Sequence, residues 1–259
     1  MAYSNRFDDA LLYAVDVHRD QVRKGSSIPY VTHLLGVASI VGESGGSEDE
    51  VIAALLHDAI EDTDATYTTL ADRFNKPVAD IVRACSDTDV TPKPAWEKRK
   101  KDYIAHVVGA SESVRLVSAA DKLANARSVL TDLRVLGDEL WSRFKGGKDG
   151  TLWYYRSLVR VFDIAGSSPI MGRPDRTRPV VEELDRVVGE IEKLAAVADG
   201  LCGVVEEEHL REHGRSRPGE CHTDAVLARG ATRSRPQLAH LKPRLVFLFT
   251  QVPGSRRVL

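Results

Sequence analysis

The sequence predicts an all-α fold. Apolar residues recur at helical spacing, turn residues punctuate the stripes, and no alternating run of strand length occurs before Leu201. Between residues 7 and 22, Phe7, Leu11, Ala14, Val15 and Val22 mark a first helix, which Lys24-Gly25-Ser26-Ser27 stops. Ile28-Pro29-Tyr30 leads into a second, carrying Leu34, Val37, Ala38 and Val41 and ended by Gly42 and Gly45-Gly46. Ser47 followed by Glu50 is a capping box for a third, with Val51, Leu55, Leu56 and Ala59 on it. Shorter helices are expected at 68–75 and 77–86, where Pro77 suits a first helical position. After a turn rich in Thr and Pro, helices are expected at 95–108, 112–130, 151–165 and 179–197.

Composition narrows the function classes. The chain has 259 residues, enough to bury a core and enclose a pocket, with 42% apolar and 29% charged residues, ordinary for a soluble globular protein. A formal net charge of −2 gives no global field toward nucleic acid or membrane. A polyanionic substrate must therefore be met by local basic groups and a metal. The longest apolar runs, such as 51–56, fall far short of a membrane span, and residues 1–6 lack the features of a secretory signal. Cys85, Cys202 and Cys221 show no metal-type pairing, which fits a reducing, cytoplasmic setting. Two regions are expected: a domain over 1–200 and a C-terminal extension of low predicted order over 201–259. In the extension His209, His213, Cys221 and His222 lack a close cysteine pair and are not read as a zinc site, and the apolar run at 245–249 is read as a segment able to dock as a strand or to promote aggregation.

Three segments carry chemistry. His57-Asp58-Ala59-Ile60-Glu61-Asp62 ends an otherwise apolar helix, and the four-residue spacings His57 to Glu61 and Asp58 to Asp62 put each pair on one helix face. Imidazole beside carboxylate suits a borderline-hard divalent metal, with the further acids placed as a base or acid; the alternative is a helix terminus with solvated acids. In the run 116–126 the only charges are Asp121 and Lys122. An ionised carboxylate there costs several kcal/mol unless it is paired or coordinating, so a buried ion pair with Lys122 or Arg127 competes with a metal ligand. Asn125 lies one turn beyond Asp121. The third segment is Arg23-Lys24 followed by Pro29-Tyr30-Val31-Thr32-His33, where His33 opens a helix.

Together these residues resemble the HD-domain small alarmone hydrolases, the hydrolase half of the RelA/SpoT proteins. The resemblance covers about residues 7 to 162, with Leu34 where the family often has Pro and a slightly longer loop at 25–28. It implies an HD-domain helical bundle with His33, His57, Asp58 and Asp121 as metal ligands and Glu61 and Asp62 as the catalytic acidic pair. It also implies a nucleotide-binding role for Arg23, Lys24 and Tyr30 and, on the Asp121–Arg127 segment, for Asn125 and Arg127; Tyr154 is expected to contact substrate as well. The implied cofactor is manganese, with other divalent metals permitted. The implied reaction removes pyrophosphate from the 3′ position of a guanosine or adenosine alarmone. Alternatives are an NADPH 2′-phosphatase, another HD-family nucleotide phosphohydrolase, and a nucleotide-binding sensor without turnover. The expected partner is a small-molecule nucleotide, not nucleic acid or membrane; a homo-oligomer is left open. Lys98-Arg99-Lys100-Lys101 is read as a solvated helix face rather than a phosphate-attracting rim, and His18 as a buried hydrogen-bonding support.

Overall fold

The computed structural model describes residues 3–86, 92–166 and 175–213, with side chains as far as residue 197. The chain divides into two units, Met1–His209 and Leu210–Leu259, and nearly all described residues belong to the first. Among the described residues ten α-helices follow in order: α1 Asn5–Val17, α2 Val31–Glu43, α3 Glu48–Leu56, α4 Ala59–Asp62, α5 Tyr67–Arg73, α6 Lys76–Cys85, α7 Trp96–Val108, α8 Glu112–Leu136, α9 Gly147–Gly166 and α10 Arg178–His213. A 3-10 segment, Gly137–Arg143, joins α8 to α9. Among the described residues there is no strand, only an isolated antiparallel bridge between Val22 and Pro29.

The core forms around α3, in which Val51 to Leu56 are all buried. Helices α1, α2, α6 and α8 pack against it. The expected capping box fixes where α3 begins: the Ser47 hydroxyl accepts from the Glu50 amide at 3.3 Å, and the Ser47 amide donates to Glu50 Oε2 at 2.6 Å. Ser111 caps α8 by a single bond, accepting from the Val114 amide at 3.3 Å.

Several boundaries differ from expectation, each for a local reason. The first helix ends at Val17, because the backbone turns through His18 to Gln21 and then pairs with the approach to α2. Tyr30 N–H donates to Gln21 C=O at 2.9 Å and Arg23 N–H to Ile28 C=O at 2.8 Å, closing residues 22–29 into a tight loop. Gly25 turns that loop at φ +77°, and a Cβ there would lie 2.6 Å from Arg143 Nε, so the loop lies close over a guanidinium. The HD segment is not one continuous helix: it breaks at His57-Asp58, between α3 and α4. Helix α8 runs past 130 to Leu136 because Leu133 stays buried, with Leu140 and Trp141 buried just beyond. Helix α10 continues through Gly200 to His213, so helical structure extends past the stretch where an apolar period is legible.

Candidate active site

Two helices and one break bring four side chains to a single point. His33 comes from the first turn of α2, His57 and Asp58 from the break after α3, and Asp121 from the middle of α8. His33 Nε2 lies 3.2 Å from Asp121 Oδ1 and 3.7 Å from Asp58 Oδ2; His57 Nε2 lies 3.5 Å and 3.0 Å from the same two atoms. His57 Nδ1–H donates to the Ala54 carbonyl at 2.8 Å, which turns Nε2 toward the cluster.

Both Nε2 atoms are buried and have no hydrogen-bond partner among the described residues, although carboxylate oxygens stand nearby. A buried polar atom left unsatisfied costs about 1–3 kcal/mol, so two on one point call for a shared partner. Two imidazole nitrogens and two carboxylates fit a borderline-hard divalent cation, and His33, His57 and Asp58 offer ligand atoms within 4.8 Å of one another. The electrostatics agree. Burial holds His33 below the ordinary imidazole range against the pull of Asp121. Burial also opposes the charge on His57, but Asp58 and Asp121 outweigh it and raise that ring well above 6.5. Burial pushes both carboxylates up, yet His57 holds Asp58, and Lys122 with the two imidazoles holds Asp121, below the usual range. The cluster favours positive charge at its centre, which a divalent cation would supply.

Asp121 is both an ion-pair partner and a member of the cluster, so the two readings of its sequence are compatible. Its Oδ2 takes Lys122 Nζ at 2.5 Å, while its Oδ1 accepts from Asn125 Nδ2 at 2.6 Å and faces the imidazoles. Asp58 accepts from the Tyr30 hydroxyl. Tyr30 packs on His18 with ring centroids 5.4 Å apart, and His18, buried as expected, donates from Nδ1 to Gln21 Oε1 at 2.5 Å.

Above the cluster opens a cleft of about 960 Å³. It gathers eight arginines and lysines (Arg23, Lys24, Arg99, Lys100, Lys122, Arg127, Arg143, Lys145) against three acids, Glu43, Glu61 and Asp132, in a protein of net charge −2. Of the expected site residues, Arg23, Lys24, Tyr30, His33, Glu61, Asn125, Arg127 and Tyr154 line it. Arg127 also reaches Glu183 of α10 at 3.3 Å, and Glu61 Oε1 lies 3.0 Å from Lys93 Nζ. Asp62 is not among the lining residues: its carboxylate is exposed and accepts from Gln21 Nε2 at 2.9 Å.

The basic segment of α7 splits. Lys98 and Lys101 make surface pairs with Asp102 and Glu97, whereas Arg99 and Lys100 line the cleft. Lys122, Arg143 and Gln21 were not legible as site residues. Lys122 carried a signal, as half of the one charged pair in an apolar run; the other two carried none, because Asp62 beside Gln21 and Gly25 beside Arg143 lie far from them in sequence.

An all-α bundle with a buried His-Asp cluster that meets a cationic cleft through His33 defines the HD class of helical proteins. The comparisons agree: residues 10–151 match the HD domain, and the chain belongs to the HD-domain family. It is 37% identical over 137 residues to guanosine-3′,5′-bis(diphosphate) 3′-pyrophosphohydrolase MESH1 of Xenopus tropicalis, covering 52% of this chain and 73% of that one. The protein of the same name from Danio rerio is 40% identical over 133 residues, covering 50% and 70%. A solved structure described as a metazoan orthologue of SpoT that hydrolyses ppGpp superposes with a TM-score of 0.57 at 28% identity, covering 72% of this chain and 97% of its own.

Proposed function

We propose that this protein is a metal-dependent phosphohydrolase that removes pyrophosphate from the 3′ position of a guanosine or adenosine alarmone such as ppGpp. The observation that carries this reading is the pair of orphaned imidazole nitrogens facing two carboxylates beneath a strongly cationic cleft. The names and activities of the relatives support the same reaction.

His33, His57, Asp58 and Asp121 would hold the ion, for which manganese is proposed. When bound, it supplies charge neutralisation at the phosphate and a more acidic water. Water attacks the phosphorus joined to the 3′ oxygen, and that P–O bond breaks. The 3′ oxygen leaves with a proton from the water, and pyrophosphate is released. Glu61, the one acid of the HD segment that lines the cleft, receives and returns that proton. Asp62, held by Gln21, supports the orientation of the acidic segment from outside the cleft. Arg23, Lys24, Tyr30, Asn125, Arg127 and Tyr154 form the walls against which the nucleotide lies, and the excess of cations meets its phosphates. Among the described residues no helix is long and apolar enough to cross a membrane. Cytoplasmic residence belongs to the proposal and rests on the cysteine pattern.

The test is an activity panel in added manganese over guanosine and adenosine alarmones, NADPH and ordinary nucleotides, with orthophosphate and pyrophosphate measured separately. Pyrophosphate released from an alarmone is the expected result. Orthophosphate from NADPH as the main product would reassign the substrate, and no turnover of any member would end the enzymatic reading.

A further inference from the structure

We propose that Arg23 and Asn125 are positioning residues for Asp121, joining the loop at the cleft wall to the metal-binding cluster by one chain of hydrogen bonds. The proposal rests on the metal-site reading above and goes beyond the substrate contacts assigned to these two residues.

The chain runs from the loop to the cluster in three steps. Arg23 Nη2 donates to Asn125 Oδ1 at 2.9 Å and to Ser128 Oγ at 3.2 Å. Asn125 Nδ2 donates to Asp121 Oδ1 at 2.6 Å. Asp121 Oδ1 then faces His33 Nε2 and His57 Nε2 at 3.2 and 3.5 Å. A guanidinium can only donate and an ionised carboxylate can only accept, so one orientation of the Asn125 amide satisfies both neighbours. The flipped amide would set NH₂ against guanidinium and carbonyl against carboxylate. Arg23 thus fixes the amide, and the amide fixes the carboxylate.

Lys122 completes the restraint by taking Asp121 Oδ2 at 2.5 Å, so each carboxylate oxygen has a set direction. The contact of Arg23 with the Tyr30 ring is 5.9 Å, the far limit of cation–π attraction, and adds little. Each group in the chain is half-buried or buried, where such bonds are least diluted by water. Metal affinity must then depend on Arg23 when no nucleotide is present. By reciprocity, filling the cluster steadies the 22–29 loop.

The experiment is a manganese titration by calorimetry without nucleotide, on the full chain and on Arg23→Gln, Asn125→Ala and the double variant. Far-UV helicity and melting temperature are measured alongside, with Asn125→Asp replacing Asn125→Ala if the latter does not fold. Asn125→Ala is expected to bind about tenfold or more weakly, the usual effect of removing a partner of a metal ligand. Arg23→Gln is expected to lose about threefold to tenfold by the same route. Because Arg23 acts through Asn125, the double variant should bind within about twofold of Asn125→Ala alone. Unchanged affinity in folded Arg23→Gln, or losses that simply multiply in the double variant, would overturn the relay while leaving the metal site intact. A wild-type chain that takes up no manganese would overturn the metal reading itself and the relay with it.

Discussion

Asp121 stands on α8 among Leu116, Val117, Ala119, Ala120 and Leu123, all buried, and its carboxylate stays ionised because Lys122, Asn125 and two imidazoles surround it. Replacing it with Ala removes one oxygen of the proposed ligand set and leaves half-buried Lys122 without its anion. Folded Asp121→Ala protein should therefore retain little manganese, measured by metal analysis after gel filtration; full retention would remove Asp121 from the ligand set. Glu61 is a different case, since it lines the cleft but is not part of the four-residue cluster. Glu61→Gln should keep the metal and lower turnover roughly a hundredfold or more, the usual reach of a general acid–base group. Near-normal turnover in that variant would take the proton-transfer role away from Glu61. The types of these residues were legible because chemistry-bearing side chains stand out against apolar neighbours. Arg143 and Gln21 were not, because each gains meaning only from a partner brought near by folding.

Helices are anchored to one another by buried charge as well as by apolar stripes. Glu50, in the first turn of α3, is buried and accepts from the Ser47 amide and from two nitrogens of Arg176, which leads into α10. Arg176 also reaches Glu112 at the start of α8, so one guanidinium ties three helix N-termini together. Burial would raise the Glu50 carboxyl, but Arg176 and the Ser47 amide outweigh it and hold it at about 2. Its folded value lies below its ordinary 4.5, so its contribution is fully present above about 4.5 and is lost as pH falls toward about 2. Glu50→Gln should lower stability at neutral pH by about 2–4 kcal/mol, as expected when a buried ion pair loses one partner. It should also flatten the fall of stability between those two pH values. Denaturant melts at several pH values decide this; parallel pH profiles for the variant and wild type would show that the pair carries no linkage. The capping box was readable from Ser47 and Glu50, but Arg176, more than a hundred residues away in sequence, was not.

For the whole molecule, the proposed boundary near residue 200 can be tested directly. The described lining residues of the cleft all lie between Arg23 and Tyr155. Helix α10 buries Val180, Val181, Leu184, Val187, Val188, Ile191 and Ala195, and Lys148 Nζ donates to the Ala195 carbonyl at 2.8 Å. A chain ending at Gly200 keeps all of these contacts, although it cuts α10 short. It should fold and retain most of its turnover. Helicity, oligomeric mass and turnover at saturating manganese should be compared with those of the full chain. A truncated protein that stays helical but loses activity would mean that later residues help build the site. The proposed tail features, from His209 to the apolar run at 245–249, lie outside the residues whose side chains are described.

Local sequence determined the helical class, the capped starts of α3 and α8, and the identity of the metal-ligand candidates, because helical period, capping and a charge in an apolar run are all short-range signals. Only the tertiary structure decided where α8 and α10 ended. Whether α8 stops at 130 or 136 depends on which surfaces cover Leu133, not on propensity. It also decided how the site is wired. His33, His57, Asp58 and Asp121 span almost ninety positions in sequence, yet carboxylate and imidazole atoms meet within 4 Å because α2, α3 and α8 share one core. The Asn125 amide, Lys122 and the cationic cleft take their roles from that meeting, since hydrogen bonds and charge act through space and not along the chain.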